Sequence, residues 1–335
     1  MVSTQKIQPE NCAQFDAKSA LSGLSAQILS PPTTTEVRAC WELCRLHNNI
    51  GFWVIWLPTA WSITMAYHAQ SNISGREAFF AALSYVPLCF GIKSLIMTID
   101  DILDQDIDGF VERTKNRPLP RRAISLERAW LFFAAQVVLG VVLAITLLDR
   151  SSLRVVTVIS PLYVIYPTCK RWMNFAPIPL GVMFNIGCFM GWCRLRSDAT
   201  IAWDVVAPLY VGACFWTCTY ETVYQHQDKE DDLKIGLHSP ALLLGRSTIP
   251  VCAATTILFL AFVGYGGFLN NQGLLFYIGL ACAGIITLRR LLSTNIDDPE
   301  QCKKFFLLTP RVGQIILGGL VIDAVYGRFL RQMTI

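Results

Sequence analysis

From Gly51 onward the chain repeats one pattern: an apolar stretch of about 16 to 21 residues, then a polar loop. A helix needs about 20 apolar residues to cross roughly 30 Å of hydrocarbon, so each stretch approaches the length of a membrane span. Nine stretches can be drawn, near 51–67, 79–99, 128–148, 152–168, 175–193, 202–222, 250–267, 273–289 and 311–327. Several contain proline (Pro58, Pro87, Pro161, Pro167, Pro177, Pro179, Pro208), which lipid tolerates only where neighbouring helices satisfy the freed backbone groups. The expected fold is all-α, a polytopic bundle of nine transmembrane helices.

Composition agrees with that reading and removes its rivals. Charged residues make up 16% of the chain and hydrophobic ones 53%, against about 25% charge in soluble domains. A net charge of +4 over 335 residues is no footprint for nucleic acid. The apolar content excludes a disordered chain. The twelve cysteines include no C-x-x-C and lie mostly within apolar runs, as packing residues do.

Residues 1–36 mix Ser, Thr, Pro and Gln with acids, and Glu10 and Asp16 interrupt them before the first arginine, Arg38. They read as a mobile cytosolic tail and as a poor mitochondrial presequence. Residues 37–335 form one transmembrane domain. With nine crossings, 20 of the 28 basic residues fall on the face that carries the tail and 7 on the other. The positive-inside bias puts the first face in the cytosol, and an endoplasmic-reticulum or related endomembrane fits better than the mitochondrial inner membrane.

Two loops on that face carry the chemistry. After the second stretch comes Asp100-Asp101-Ile-Leu-Asp104-Gln-Asp106-Ile-Asp108. At 100° per residue, Asp101, Asp104 and Asp108 fall within about 60° of one another and Asp106 points elsewhere. After the sixth comes Tyr220-Glu221-Thr-Val-Tyr224-Gln-His226-Gln-Asp228-Lys229-Glu230-Asp231-Asp232, where Glu221, Asp228 and Asp232 span about 40°. An even number of crossings separates the two stripes, so they reach the same face. Left unneutralised, such carboxylates repel one another at a membrane boundary. Oxygen donors without His or Cys select a hard cation such as Mg²⁺, which keeps coordination positions for phosphate. Arg113, Lys115, Arg117, Lys170 and Arg171 follow close behind and suit phosphate oxygens.

At these residues the chain resembles the UbiA superfamily of intramembrane prenyltransferases. The pattern N-D-x-x-D-x-x-x-D with R-T-x-N-R-P-L matches Asp100–Asp108 and Arg113–Leu119. Y-P-x-x-K-R matches Tyr166–Arg171, and Y-D-T-x-Y-x-x-Q-D-x-x-D-D-x-x-I-G resembles Tyr220–Gly236. The resemblance implies a bundle around a central cavity and Mg²⁺-dependent transfer of an isoprenyl group from its diphosphate to an aromatic carbon. It implies Asp101, Asp104 and Asp108 for one Mg²⁺, Asp228 and Asp232 for a second, and Arg117, Lys170 and Arg171 for the diphosphate. Asp104, Asp108, Asp228 and Asp232 are accordingly the catalytic candidates, with Tyr220 and Asn185 added as substrate-binding candidates. Asn185, costly in lipid, is expected either to face the cavity or to bridge helices. His47, His226 and His238 invite a general-base role or a plain hydrogen-bonding one.

Three departures refine the expectation. Asp100 stands where the family commonly has Asn, and Glu221 where it commonly has Asp. Where ubiquinone-pathway members resemble R-L-D-K-P-I-G, this chain reads Arg45-Leu46-His47-Asn48-Asn49-Ile50-Gly51, in a segment associated with the aromatic acceptor. The expectation is therefore the fungal meroterpenoid branch, with farnesyl diphosphate as donor and an aromatic polyketide or phenolic acid as acceptor. A 4-hydroxybenzoate polyprenyltransferase of ubiquinone synthesis and an intramembrane terpene cyclase are the alternatives. A transporter or scaffold binding a coupling ion is the non-enzymatic reading.

Overall fold

A computed structural model describes residues 30–196 and 200–330. Most of the expected tail therefore lies outside the described residues. Its last three residues open α1 (Thr34–Leu43). There Thr33 Oγ1 accepts from the Glu36 amide at 3.2 Å and the Glu36 carboxylate accepts from the Thr33 amide at 2.8 Å, a reciprocal cap that satisfies two otherwise orphaned donors.

The chain continues through α2 (Ile50–Ala69), α3 (Gly75–Ser84), α4 (Val86–Leu103), α5 (Leu126–Leu147), α6 (Arg150–Ile159) and α7 (Leu162–Ile165), which runs into a 3₁₀ segment, Tyr166–Arg171. Then come α8 (Pro177–Phe184), α9 (Gly187–Arg194), α10 (Trp203–Tyr224), α11 (Lys229–Ile235), α12 (Pro240–Leu244), α13 (Thr248–Leu269), α14 (Leu274–Leu292) and α15 (Pro299–Leu330). Among the described residues there is no strand, so the all-α expectation holds.

Seven helical stretches are long and apolar enough to span a membrane: Ile50–Ala69, Gly75–Leu103, Leu126–Leu147, Arg150–Arg171, Pro240–Leu269, Leu274–Leu292 and Pro299–Leu330. The other two expected spans differ. The one at 175–193 is split into α8 and α9, eight residues each, with the break at Asn185 and Ile186. The one at 202–222 is α10, whose 22 residues reach about 33 Å at 1.5 Å per residue but carry Asp204 and Glu221. The chain is a multi-pass membrane protein, with seven candidate spans among the described residues by length and apolarity.

Packing separates a central layer from an outer wall. Helix α2 contacts α9 and α15, while α10 lies along α13 and α8. The central seam is aromatic: Trp61 and Trp216 have ring centroids 5.1 Å apart, Trp216 and Phe259 5.8 Å, and Trp61 Nε1 donates to Gly313 O at 2.9 Å. By contrast α5 is 6% buried over its span, where α2 is 78% buried. Val138, Leu139, Val141, Val142 and Ile145 on α5 are exposed, as a lipid-facing surface requires.

Glycines bring α9 onto α2. A Cβ at Gly191 would lie 2.4 Å from Thr59 O, and one at Gly187 2.1 Å from Thr59 Oγ1, whereas one at Gly140 meets nothing within 4 Å. Of these, Gly187 and Gly191 serve close helix approach. Gly191→Ala is therefore expected to destabilise the purified full-length protein by about 1–3 kcal/mol through overpacking, with Gly140→Ala near neutral. Thermal unfolding in detergent measures both.

Candidate active site

The site forms where α4 and α10 end. Helix α4 stops at Leu103, Asp104 caps it, and Asp108 begins a 3₁₀ turn, Asp108–Phe110. Helix α10 stops at Tyr224, a 3₁₀ turn covers Gln225–Asp228, and α11 holds Asp232. Neither acidic motif is thus one continuous helical face, so the 100° arithmetic fails beyond Leu103 and Tyr224. The breaks nevertheless fold both motifs around one cavity of about 220 Å³.

Asp100 and Asp108 of the first motif and Glu221, Asp228 and Asp232 of the second line that cavity together. Arg113, Arg117 and Lys170 join them from the intervening loops. Val54, Met97, Leu180, Phe184 and Phe306 add apolar lining, with Tyr166, Tyr220 and Tyr224 beside them.

Asp101 and Asp104 are fully buried and lie behind the lining. Arg45 grips Asp101 through two bonds, Nη2 to Oδ1 at 2.6 Å and Nη1 to Oδ2 at 3.2 Å. Arg117 stands between Asp101 at 3.2 Å and Asp108 at 2.8 Å. Lys170 Nζ lies 2.5 Å from Asp104 Oδ2. Burial pushes the Asp104 carboxyl upward, Asp100 adds to this, and Lys170 opposes it. Arg171 turns to the exposed Asp106, donating at 2.9 and 2.6 Å. It is absent from the cavity wall, unlike Lys170.

One ion pair joins the two motifs' loops across the cavity mouth. Arg113 donates to Asp228 from Nε at 2.8 Å and from Nη2 at 2.5 Å, and its guanidinium sits 5.4 Å from the Tyr224 ring centroid. Next to it the Glu112 amide donates to Asp231 at 3.0 Å.

The remaining candidates are not all at the cavity. Asn185 Nδ2 donates to Gly181 O at 2.8 Å and to Thr217 Oγ1 at 2.9 Å, so Asn185 ties the α8 end to α10 and does not line the cavity. Tyr220 does line it, and its hydroxyl reaches the same Thr217 at 3.3 Å. His226 is buried against Thr248 Oγ1 at 2.9 Å, and burial holds its imidazole down at about 4. His47 is exposed. His238 is at the rim, where its amide donates to Lys170 O at 2.8 Å. Arg45 and Asn48, from the segment that departs from R-L-D-K-P-I-G, also line the cavity, as does Lys93, which the motif reading missed because its partners, Cys44 O and Arg45 O, are distant in sequence.

A family comparison decides what this arrangement is. The profile described as the UbiA prenyltransferase family matches residues 55–311. The chain belongs to the UbiA prenyltransferase family. It is 31% identical over 294 residues to the 4-hydroxybenzoate polyprenyltransferase, mitochondrial, of Schizosaccharomyces pombe, covering 86% of this chain and 80% of that one. It is 30% identical over 332 residues to the human protein of the same name, covering 96% and 84%. A UbiA homologue from Aeropyrum pernix K1 superposes with a TM-score of 0.66 at 23% identity, covering 81% of this chain and 97% of that one. A UbiA homologue from Archaeoglobus fulgidus bound to GPP and Mg²⁺ superposes at 0.57 and 17% identity, covering 84% and 99%. As a UbiA-family member the chain is a transferase. The expected meroterpenoid branch is not what these relatives support: they are 4-hydroxybenzoate polyprenyltransferases, and mitochondrial in name.

Burial sets which carboxylate the UbiA-family fold depends on most. Asp101→Ala removes both bonds of Arg45 to a fully buried carboxylate and leaves Arg117 only its pair with Asp108, and is expected to cost about 3–5 kcal/mol. Asp106→Ala removes an exposed pair and should cost under about 1 kcal/mol. Comparative thermal unfolding of the two purified variants checks the difference.

Proposed function

We propose that this UbiA-family enzyme transfers an isoprenyl group from its diphosphate to a ring carbon of a hydroxybenzoic acid, with 4-hydroxybenzoate as acceptor. The observation that carries the reading is the single cavity in which both acidic motifs, five basic side chains and apolar residues meet. The names of the relatives supply the acceptor class and favour a mitochondrial membrane over the endomembrane expectation.

The donor set fits Mg²⁺ by its chemistry. Asp100, Glu221 and Asp232 line the cavity with no basic group in ion-pair contact among the described residues. Burial and the neighbouring Asp228 raise the Asp232 carboxyl to about 7, with Lys170 and Arg113 opposing them. As they stand, no three acidic, His or Cys side chains among the described residues converge tightly enough to hold a metal. Asp100, Asp108, Asp228 and Asp232 are the residues proposed to hold Mg²⁺, which supplies neutralisation of the departing diphosphate.

This chain's own groups do the rest. Arg113, Arg117 and Lys170 are placed to bind the outer phosphate oxygens, exchanging aspartate for phosphate as their partner. The prenyl tail lies along Val54, Met97, Leu180, Phe184 and Phe306, and that wall keeps water from the allylic carbon. The faces of Tyr220 and Tyr224 offer π density to positive charge developing there. The C–O bond to diphosphate breaks with its electron pair, and a ring carbon of the phenol forms the new C–C bond as its C–H is lost. Farnesyl diphosphate is the donor proposed.

A second reading keeps an orsellinic-type acid as acceptor. It is favoured by one observation: Arg45, Asn48, Ile50 and Gly51, from the segment that departs from R-L-D-K-P-I-G, line the cavity directly.

Membranes carrying the chain and supplied with Mg²⁺ should prenylate 4-hydroxybenzoate in preference to an orsellinic-type acid, with product mass reporting the tail length. The reverse preference selects the second reading, and a cyclic hydrocarbon from the diphosphate alone contradicts both. Chelation is expected to abolish turnover and added Mg²⁺ to restore it. Asp228→Asn should lower turnover by about 10²-fold or more with folding intact.

A further inference from the structure

Arg171 and Lys170 are neighbours in sequence but serve different sides of the first acidic motif. Both end the 3₁₀ segment Tyr166–Arg171, where three residues make a turn and adjacent side chains diverge by about 120°. Lys170 lines the cavity and Arg171 does not. The Arg171 guanidinium reaches the exposed Asp106, donating from Nη1 at 2.9 Å and from Nη2 at 2.6 Å. From Nη2 it also donates to Leu103 O at 2.7 Å. Leu103 is the last residue of α4, so its carbonyl is one that a helix end leaves without a partner, and a cation there meets the negative end of the helix.

The turn fastened in this way carries two of the motif's buried acids. Asp104 and Asp108 are buried on either side of the exposed Asp106. The Ile107 and Asp108 amides both return to Asp104 O, at 2.9 and 2.8 Å. Arg171 holds the turn from the solvent side, at the residue before it and at its middle. Its own mount is firm: Cys169 is buried, the Met173 amide bonds Cys169 O at 2.8 Å, and Lys170 O accepts from the His238 amide at 2.8 Å.

Asp104 adds a second consequence. Lys170 Nζ lies 2.5 Å from its Oδ2, and Arg171 Nη2 lies 3.7 Å from its Oδ1. A diphosphate that draws Lys170 to itself leaves this buried carboxylate with Arg171 as the cation still within ion-pair distance among the described residues. A buried carboxylate that loses its counter-charge is costly, so a cation that stays in place keeps the turn from rearranging.

We propose that Arg171 is a positioning residue for the first motif's carboxylates, holding the turn at 103–108 from outside the cavity through Asp106 and Leu103 O, and that it makes no contact with the diphosphate. The proposal rests on the transferase reading above. It departs from the diphosphate role that resemblance implies for Arg171, and it gives the outward-facing Asp106 a task at the site.

The test compares Arg171→Gln, Asp106→Ala and the double variant with wild type, as full-length protein reconstituted in nanodiscs. Amide hydrogen exchange over residues 103–110 is measured without metal or substrate. The Mg²⁺ concentration for half-maximal prenylation of 4-hydroxybenzoate is measured next, with the KM for farnesyl diphosphate at saturating Mg²⁺. Arg171→Gln is expected to speed exchange in 103–110 selectively and to raise the Mg²⁺ requirement about tenfold, with the diphosphate KM within about twofold. Asp106→Ala should shift exchange and Mg²⁺ requirement the same way, the latter by about threefold, and serves alone if Arg171→Gln does not fold. The double variant should be no worse than Arg171→Gln, because the two residues share one contact. A direct diphosphate contact predicts otherwise: Arg171→Gln would raise the diphosphate KM at saturating Mg²⁺, and Asp106→Ala, by freeing the guanidinium, would leave or lower it. That pattern overturns the proposal, as do unchanged exchange in 103–110 or additive shifts in the double variant. Should the wild type fail to prenylate 4-hydroxybenzoate, the acceptor reading falls, while exchange and Mg²⁺-dependent binding of farnesyl diphosphate still decide the role of Arg171.

Discussion

Buried carboxylates in an apolar bundle must be matched by charge, and the structure is arranged around that requirement. Asp101, Asp104 and Asp108 are buried together at the end of α4. Their partners come from three different connections: Arg45 before α2, Arg117 before α5 and Lys170 before α8. An isolated charge in such a place costs several kcal/mol even after relaxation. The pairs therefore fix where these loops sit, and the loops in turn give the cavity its shape. Two of these cations, Arg117 and Lys170, are also among the groups proposed to hold a diphosphate.

The apolar centre of the bundle follows from packing. Trp61, Trp216 and Phe259 stack there, and glycines on α9 let it lie directly on α2. The cavity takes its own apolar lining from Val54, Met97, Leu180, Phe184 and Phe306. A reaction that develops an allylic cation needs both halves, a polar end that stabilises the leaving group and an apolar end that excludes water. Membership of the UbiA prenyltransferase family and the local geometry therefore lead to the same chemistry from independent starting points.

Much of this was legible in the sequence because lipid imposes a length. Seven of the nine drawn spans meet the membrane criterion as helices, and both acidic loops do come to one cavity. The break at Asn185 was not legible, since nothing in a run of apolar residues marks where a helix splits. Helical arithmetic grouped Asp101, Asp104 and Asp108 correctly as neighbours but misjudged which of them line the cavity, because α4 ends at Leu103. The contacts of Arg45 and Lys93 are not legible for another reason. Their partners lie 48 to 56 residues away, and no local periodicity records a contact of that range. The acceptor expectation rests on the 45–51 segment and the poor presequence, whereas similarity over most of the chain points to 4-hydroxybenzoate enzymes.

The central claim is that the two acidic motifs act on one diphosphate. Its most direct measurement is Mg²⁺-dependent binding of a non-hydrolysable isoprenyl diphosphate analogue to the reconstituted protein, taken through a double-mutant cycle of Asp108→Asn and Asp228→Asn. The account predicts that each substitution weakens binding, that the loss disappears when Mg²⁺ is withheld, and that the pair is coupled by about 1 kcal/mol or more. Additive losses, or binding indifferent to Mg²⁺, would contradict it.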